Sequence, residues 1–148
     1  MLFERVPRFI RANLDIIIPL LLLIPLYAIL YKIYIPRVNA FGCFDDCNNF
    51  MGGYFLLHGK AMFSEFFFNH QPFAGFISYF IQALIHPQNV FELILRHRQF
   101  VLLFSLIINA LLVWRFRLPA FVFVLLYKPA KFYLFGDRFL AEGIIVYP

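Results

Sequence analysis

Long apolar stretches alternate with short polar segments along the chain, and the lengths of these stretches predict membrane-spanning helices. The first, residues 14–35, holds only two charged side chains and is long enough to cross a bilayer. A second run over 99–114 is closed by arginines, and a candidate third span over 118–135 follows it. Residues 139–148 have the pattern of the start of a further helix, so we predict about three to four membrane helices.

The candidate third span carries lysines within an otherwise apolar run. Lys128 and Lys131 flank Pro129 in the second half of the stretch. Because a charged group is costly inside a bilayer, such a span requires its lysines to lie near an interface or to face a polar cavity.

The segment 36–98, between the first two spans, holds most of the polar residues of the chain. Its helix-starting and helix-ending residues predict two shorter helices. Asp45 is suited to cap a helix running from about Asp46 to Leu57, and Gly59 follows where a left-handed residue ends a helix. Pro72 opens a second helical pattern that extends to His86. At 15 residues this second helix is short for a perpendicular span, so we expect it to lie at the interface or partly submerged.

The composition narrows the class of protein. Of the 148 residues, 63% are hydrophobic and only 14% are charged, which is outside the range of a soluble globular domain. The net charge of +5 comes from cations near the ends of apolar runs, which is typical of topology signals and lipid headgroup contacts. The sequence therefore predicts an all-α integral membrane protein with interfacial helices in its first extracytoplasmic loop, and no nucleic-acid partner.

The distribution of basic residues predicts the orientation only in part. The leader before the first span contains Arg5, Arg8 and Arg11, which places the N-terminus in the cytoplasm as a retained anchor. Whether 72–95 stays outside or crosses the membrane is not decided, because either topology leaves five basic residues on one side and four on the other.

Two acidic and two sulfur-containing residues lie together just after the first span. Adjacent carboxylates such as Asp45 and Asp46 act as a general base, bind a divalent cation or begin a helix in solvent. Cys43 and Cys47 form a disulfide in an oxidising compartment or remain buried thiols. Their spacing matches none of the usual zinc signatures, so the metal dependence of this segment stays unknown.

Three further polar residues each have a functional and a structural interpretation. His70 contacts a substrate, or it is an interfacial ring satisfied by the backbone. Arg96 and Arg98 bind a lipid phosphate with their planar forks, or they hold a helix end at the membrane surface.

The order of these features resembles the beginning of the GT-C membrane glycosyltransferases, and most closely the branch of the protein O-mannosyltransferases and the aminoarabinose-lipid A transferases. In that branch the first extracytoplasmic loop opens with Asp-Glu, continues through a helix to a glycine and reaches a His-Pro-Pro-Leu-like motif. The matching residues here are Asp45-Asp46, Gly59 and His70-Gln71-Pro72-Phe73. The resemblance covers nearly the whole chain but only about the first third of a typical member.

The resemblance implies transfer of a sugar from a polyprenyl-phosphate donor, with Asp45 as the catalytic carboxylate. Asp46 stands where the family often has glutamate, and Arg96 matches an arginine that enters the second span, which favours keeping 72–95 outside. The chemistry requires a base for the acceptor hydroxyl and a cation or metal for the leaving phosphate. The residues expected to bind substrate are Lys60, His70, Arg96 and Arg98.

An alternative from another class is a small non-catalytic membrane scaffold or assembly subunit whose loop binds a partner. It is favoured by the length of 148 residues, which is too short for the many spans of the family. We therefore expect a glycosyltransferase only as part of a longer chain, with the sugar and acceptor unknown.

Overall fold

The computed structural model describes residues 13–38 and 45–133, together with Phe139 and Ile144. Within these residues the fold is all-α, and an isolated bridge between Met62 and Phe66 is the only β-type pairing. The four helices are α1 (Leu14–Val38), α2 (Asp45–Leu57), α3 (Pro72–Ile85) and α4 (Val90–Tyr133). The further helix predicted to start in residues 139–148 lies outside the described residues, apart from Phe139 and Ile144.

Two of these helices, α1 and α4, are long and apolar enough to cross a membrane. The mean hydropathy is 2.3 over Leu14–Tyr34 and 1.9 over Val90–Lys131. Helix α1 continues past the predicted end of its span, with Pro36 still inside it. Helix α4 begins at Val90, before the predicted second span.

Helix α4 consists of two arms that fold back on each other at Arg117. Arg117 has φ 59° and ψ −138°, which interrupts the helix between residues 90–116 (the first arm) and 118–133 (the second arm). The Lys128 Nζ atom lies 2.7 Å from the Ser105 Oγ atom, whereas a straight helix would separate these residues by about 35 Å. The contact shows that the two arms run antiparallel.

Helix α1 packs antiparallel to the first arm of α4. Asp15, in the first turn of α1, contacts Arg117, and the Tyr27 and Ser105 hydroxyls are 2.9 Å apart farther along. Together with the second arm, these helices enclose a small apolar core. Its buried members are Leu23, Tyr27, Val113, Ala120 and Val124.

Lys128 is buried in this bundle among polar groups, as the sequence requires of a lysine within an apolar span. Besides its bond to Ser105, its Nζ atom lies 5.5 Å from the centre of the Tyr27 ring. The Tyr27 hydroxyl also accepts a 2.6 Å hydrogen bond from the Asn109 Nδ2 atom. A hydroxyl and an aromatic face are favourable neighbours for a desolvated ammonium group.

Helix α2 ends as its sequence predicts. Gly59 has φ 76°, and its N–H donates to the Leu56 carbonyl, while the Lys60 N–H donates to the Phe55 carbonyl. This pair of bonds is the Schellman pattern, which needs a residue that tolerates the left-handed conformation. The observed start, Asp45, is one residue before the predicted start.

Helix α3 also agrees with the prediction to within one residue. Pro72 lies in its first turn, where the missing N–H has no cost. At the other end His86 takes the left-handed conformation with φ 50°, and its N–H donates to the Gln82 carbonyl. The chain therefore turns at His86 and continues into α4.

Helices α2 and α3 approach each other closely where Gly53 meets Ser78. A β-carbon at Gly53 would lie 2.7 Å from the backbone carbonyl carbon of Ser78. At neighbouring Gly52 the nearest atoms instead belong to the ring of Phe68. Only Gly53 is thus opposed by backbone, which cannot move without shifting a helix.

Replacing Gly53 with alanine is expected to destabilise the protein by about 1–3 kcal/mol, because overpacking at a tight contact exceeds the gain in helix propensity. Thermal or denaturant unfolding followed by circular dichroism measures the effect. Gly52→Ala is the matched control and should cost less, since a side chain relaxes more readily than backbone. Equal stability of Gly53→Ala and the parent chain would contradict the observed packing.

Candidate functional site

The two predicted catalytic carboxylates lie in the first turn of α2 but have different environments. Asp45 is exposed, whereas Asp46 is completely buried. Successive helical residues point about 100° apart, so the helix directs one carboxylate to the surface and the other toward α4. Of the two carboxylates, only that of Asp45 is accessible from solvent.

Asp46 pairs with a predicted substrate-binding residue, Arg98. The Arg98 Nη2 atom donates to the Asp46 Oδ2 atom at 3.3 Å, and the side chains are 6% and 0% exposed. The ion pair joins α2 to the first arm of α4. A pair buried in this way is costly to break, because removing one partner leaves the other charge desolvated.

A hydrogen-bonded network beside the ion pair joins α2, α3 and α4. The His97 Nδ1 atom must donate to the Leu93 carbonyl at 2.7 Å, which leaves Nε2 facing the Ser78 hydroxyl at 2.8 Å. The Gln82 amide donates both to that hydroxyl and to the Phe50 carbonyl. These side chains fix the positions of the three helices relative to one another.

The sequence interpretation missed this network. Ser78 and Gln82 are four residues apart and therefore share one face of α3. Two polar residues with helical spacing in a helix that has no charged residue are a signal that could have identified them. His97 lies between two arginines, and this pattern is typical of a helix end at the membrane surface. The pattern therefore did not indicate a buried histidine.

Phe139 also contacts α2. The Asn49 Nδ2 atom donates to the Phe139 carbonyl at 2.9 Å, and the Phe139 ring packs 4.8 Å from the His97 ring. Phe50 completes the stack, with its ring centre 4.5 Å from that of His97. The packing of this buried aromatic cluster stabilises the first turns of α2.

His70, a predicted substrate-binding residue, lies close to the start of α2. The Asn48 Nδ2 atom is 2.9 Å from the His70 Nε2 atom, so this nitrogen accepts the bond. Asn48 is three residues after Asp45 and therefore lies on the same side of the helix. His70 is thus bonded to a residue one helical turn from the exposed carboxylate.

Lys60 is not part of this constellation. It follows the far end of α2, about 18 Å of helix away from Asp45, and its Nζ atom pairs with Glu65 at 3.2 Å. The Ala61 N–H and the Lys60 ammonium both lower the pKa of Glu65, since each stabilises the ionised carboxylate. Both side chains are exposed, and the pair belongs to the loop surface.

Arg96 contacts Gln99, a residue that lines a groove between α1 and the first arm of α4. It is exposed, pairs with Glu92 at 3.4 Å and donates to the Gln99 Oε1 atom at 3.3 Å. Gln99 in turn lies 3.3 Å from the Tyr31 hydroxyl, at the polar end of the groove. The groove has a volume of about 320 Å3 and is lined by Tyr27, Tyr31, Gln99, Leu102, Leu103 and Leu106.

The cysteine near the carboxylates is oxidised. Cys47 forms a disulfide, and Cys43, the only other cysteine of the chain, lies outside the described residues. A disulfide is favoured in oxidising compartments and not in the cytosol.

Potential metal ligands do not cluster in the part of the chain that the structure describes. No group of three or more histidine, cysteine, aspartate or glutamate side chains occurs there in a metal-binding arrangement. Asp45 and Asp46, the adjacent acids, point away from each other. A shared ion between them would require a rearrangement of the first turn of α2.

No family model, no curated protein and no solved structure matches this chain. The resemblance to the GT-C glycosyltransferases therefore remains a prediction carried by short motifs. The function proposed below is supported by those motifs and by the positions of their residues in the fold.

Proposed function

We propose that this chain is an integral membrane protein and the N-terminal portion of a glycosyltransferase that uses a polyprenyl-phosphate sugar donor. One observation carries the proposal. An accessible carboxylate, Asp45, and an apolar groove whose lining residue Gln99 contacts Arg96 lie at the same end of two membrane-length helices. The transfer of a lipid-linked sugar needs a base, a cation and a hydrophobic channel in this order from water to bilayer.

Asp45 is the base of the proposed reaction. A sugar leaves its lipid phosphate when an acceptor hydroxyl attacks the anomeric carbon and gives its proton to a nearby carboxylate. Asp45 is exposed and can receive that proton, while Asp46 is committed to Arg98. His70, held by Asn48 on the same side of α2, is placed to orient the acceptor.

Arg96 is the cation that binds the donor phosphate. Arg98 is buried against Asp46, and Lys60 lies at the other end of α2, so neither matches Arg96 in access to the groove. The exposed pair of Arg96 with Glu92 contributes little stability and exchanges readily for a phosphate. The leucine-lined groove below Gln99 then receives the first part of the lipid chain.

The proposed orientation puts this site outside the cytoplasm. Asp15 and Arg117 meet at the opposite end of the bundle from Arg96, and the basic leader precedes Asp15. A cytoplasmic leader then places α2 and α3 on the extracytoplasmic side. The disulfide at Cys47 supports this orientation, because it is stable there and reduced in the cytosol.

Replacing Arg96 with glutamine is expected to weaken the binding of a polyprenyl-phosphate analogue about tenfold or more, since a charge-assisted hydrogen bond contributes about 1.5–3 kcal/mol. Binding to the chain in lipid nanodiscs is measured by titration. Lys60→Gln is the matched control: it removes the same charge from an exposed ion pair, distant from the groove. An equal loss in both variants would show a general charge effect and exclude Arg96 as the phosphate ligand.

A further inference from the structure

Helix α3 exposes its largest apolar side chains. Phe80 is 61% exposed and Leu84 is 81% exposed, and Phe73 and Phe76 complete the same stripe. These four residues are spaced by three, four and four positions, so they lie on one face of the helix. We refer to Phe73, Phe76, Phe80 and Leu84 as the phenylalanine face.

The opposite face of α3 is buried and, apart from Ile81, consists of small or polar residues. Ala74 and Gly75 allow close approach to neighbouring residues, and Ser78 and Gln82 form the internal hydrogen bonds described above. A surface helix of a water-soluble protein has the reverse arrangement, with its apolar stripe toward the core. Helix α3 therefore has its polarity inverted, as expected of a helix whose outer medium is less polar than its interior.

The surroundings of α3 are free of charge over a long stretch. No Asp, Glu, Lys or Arg occurs in residues 66–91, and Phe67 and Phe91 near its two ends are also exposed. Exposed ion pairs stand at both boundaries, Lys60 with Glu65 on one side and Glu92 with Arg96 on the other. Such pairs need water, so they mark the limits of an uncharged surface between them.

The length of α3 limits how this surface meets a bilayer. Its 14 residues measure about 21 Å, which is less than the roughly 30 Å of the hydrocarbon core. The helix is therefore too short to cross and suits one leaflet. The chain continues from His86 directly into the first arm of α4, which ties α3 to a membrane-length helix.

We infer that the phenylalanine face is a lipid-binding surface, embedded among the acyl chains of one leaflet. The inference rests on the membrane insertion included in the proposed function, but it is independent of sugar transfer. Because α3 is bonded through Ser78 and Gln82 to α2 and α4, its depth in the leaflet sets the height of Asp45 above the bilayer. The ligand is the hydrocarbon of the membrane itself.

Tryptophan fluorescence in nanodiscs containing lipids brominated in mid-chain tests this placement. The single native tryptophan is removed by Trp114→Phe, and one tryptophan is then introduced at Phe80 or, as a second position, at Phe76. Ile107→Trp reports an exposed position on the first arm of α4, and Ser64→Trp reports the turn between Lys60 and Glu65. Aqueous acrylamide is the complementary quencher.

We expect Phe80→Trp, Phe76→Trp and Ile107→Trp to emit at short wavelength and to lose most of their emission to brominated lipid. Ser64→Trp should be quenched by acrylamide instead. Quenching at Ile107 without quenching at positions 76 and 80 would overturn the inference while leaving membrane insertion intact. In that case, blue-shifted emission from positions 76 and 80 would show that the phenylalanine face is covered by a second protein surface. Absence of lipid quenching at all three positions would overturn membrane insertion, and the inference with it.

Discussion

Arg98→Gln is expected to destabilise the protein by about 3–5 kcal/mol, because it removes a guanidinium group that faces a fully buried carboxylate. Asp46 is 0% exposed, and Arg98 spans from α4 to reach it. The loss should appear as a lower midpoint of thermal or denaturant unfolding in detergent or nanodiscs. The secondary structure of the folded state should remain helical.

Two further variants separate this effect from a general loss of positive charge. Arg96→Gln changes an exposed arginine two residues earlier on the same helix and should shift stability by less than about 1 kcal/mol. Asp46→Asn combined with Arg98→Gln replaces the pair by two neutral amides and should recover part of the loss. If the loss of stability in the double variant equalled or exceeded the sum of the losses in the two single variants, the two side chains would not be partners.

Asp45→Asn is expected to lower sugar transfer about 10²–10⁴-fold, because asparagine keeps the shape of the side chain but cannot accept the acceptor proton. Stability should change little, since Asp45 is exposed and asparagine is as good as aspartate at a helix start. The assay is transfer from a polyprenyl-phosphate donor by the longest available chain that contains this segment. Binding of the donor should be unaffected.

Asp46→Asn is the internal comparison for Asp45. It should lose activity in proportion to lost folded protein, because its carboxylate is buried against Arg98 and does not reach substrate. Near-normal transfer by Asp45→Asn would refute Asp45 as the base. It would favour the alternative of a non-catalytic membrane scaffold.

The short helices could be predicted because their limits are encoded by single residues. Gly59 ends α2 through a conformation that other residues avoid, and Pro72 begins α3 where its ring is favourable. Such signals act within a few residues and need no tertiary context. The long apolar runs were visible for the same reason, since length and composition alone identify them.

The position of the turn within α4 could be predicted from its arginines. The backbone conformation of the turn could not. Arg117 has a positive φ, which a non-glycine residue adopts only at a cost in energy. The identity of this residue does not predict that conformation. The conformation is held by distant contacts, such as that of Lys128 with Ser105. Interactions of this kind join residues far apart in the sequence and leave no local pattern.

The candidate site was predicted in its composition rather than its arrangement. The sequence placed Asp45, Asp46, His70 and Arg98 in one loop region, and the structure brings them to one end of α2. It could not show which aspartate is buried, because this depends on Arg98, 52 positions later. Lys60 has the right chemistry, but the length of α2 separates it from the others.

The fold-back of α4 at Arg117 imposes an order on the biosynthesis of the chain. A lysine at the centre of a membrane helix opposes insertion by about 2.5–3.5 kcal/mol, and the second arm carries Lys128 and Lys131 within 118–133. The groups that receive Lys128, namely Tyr27 and Ser105, belong to segments that leave the ribosome earlier. With the membrane insertion proposed above, the second arm would therefore enter the bilayer against helices that are already synthesised.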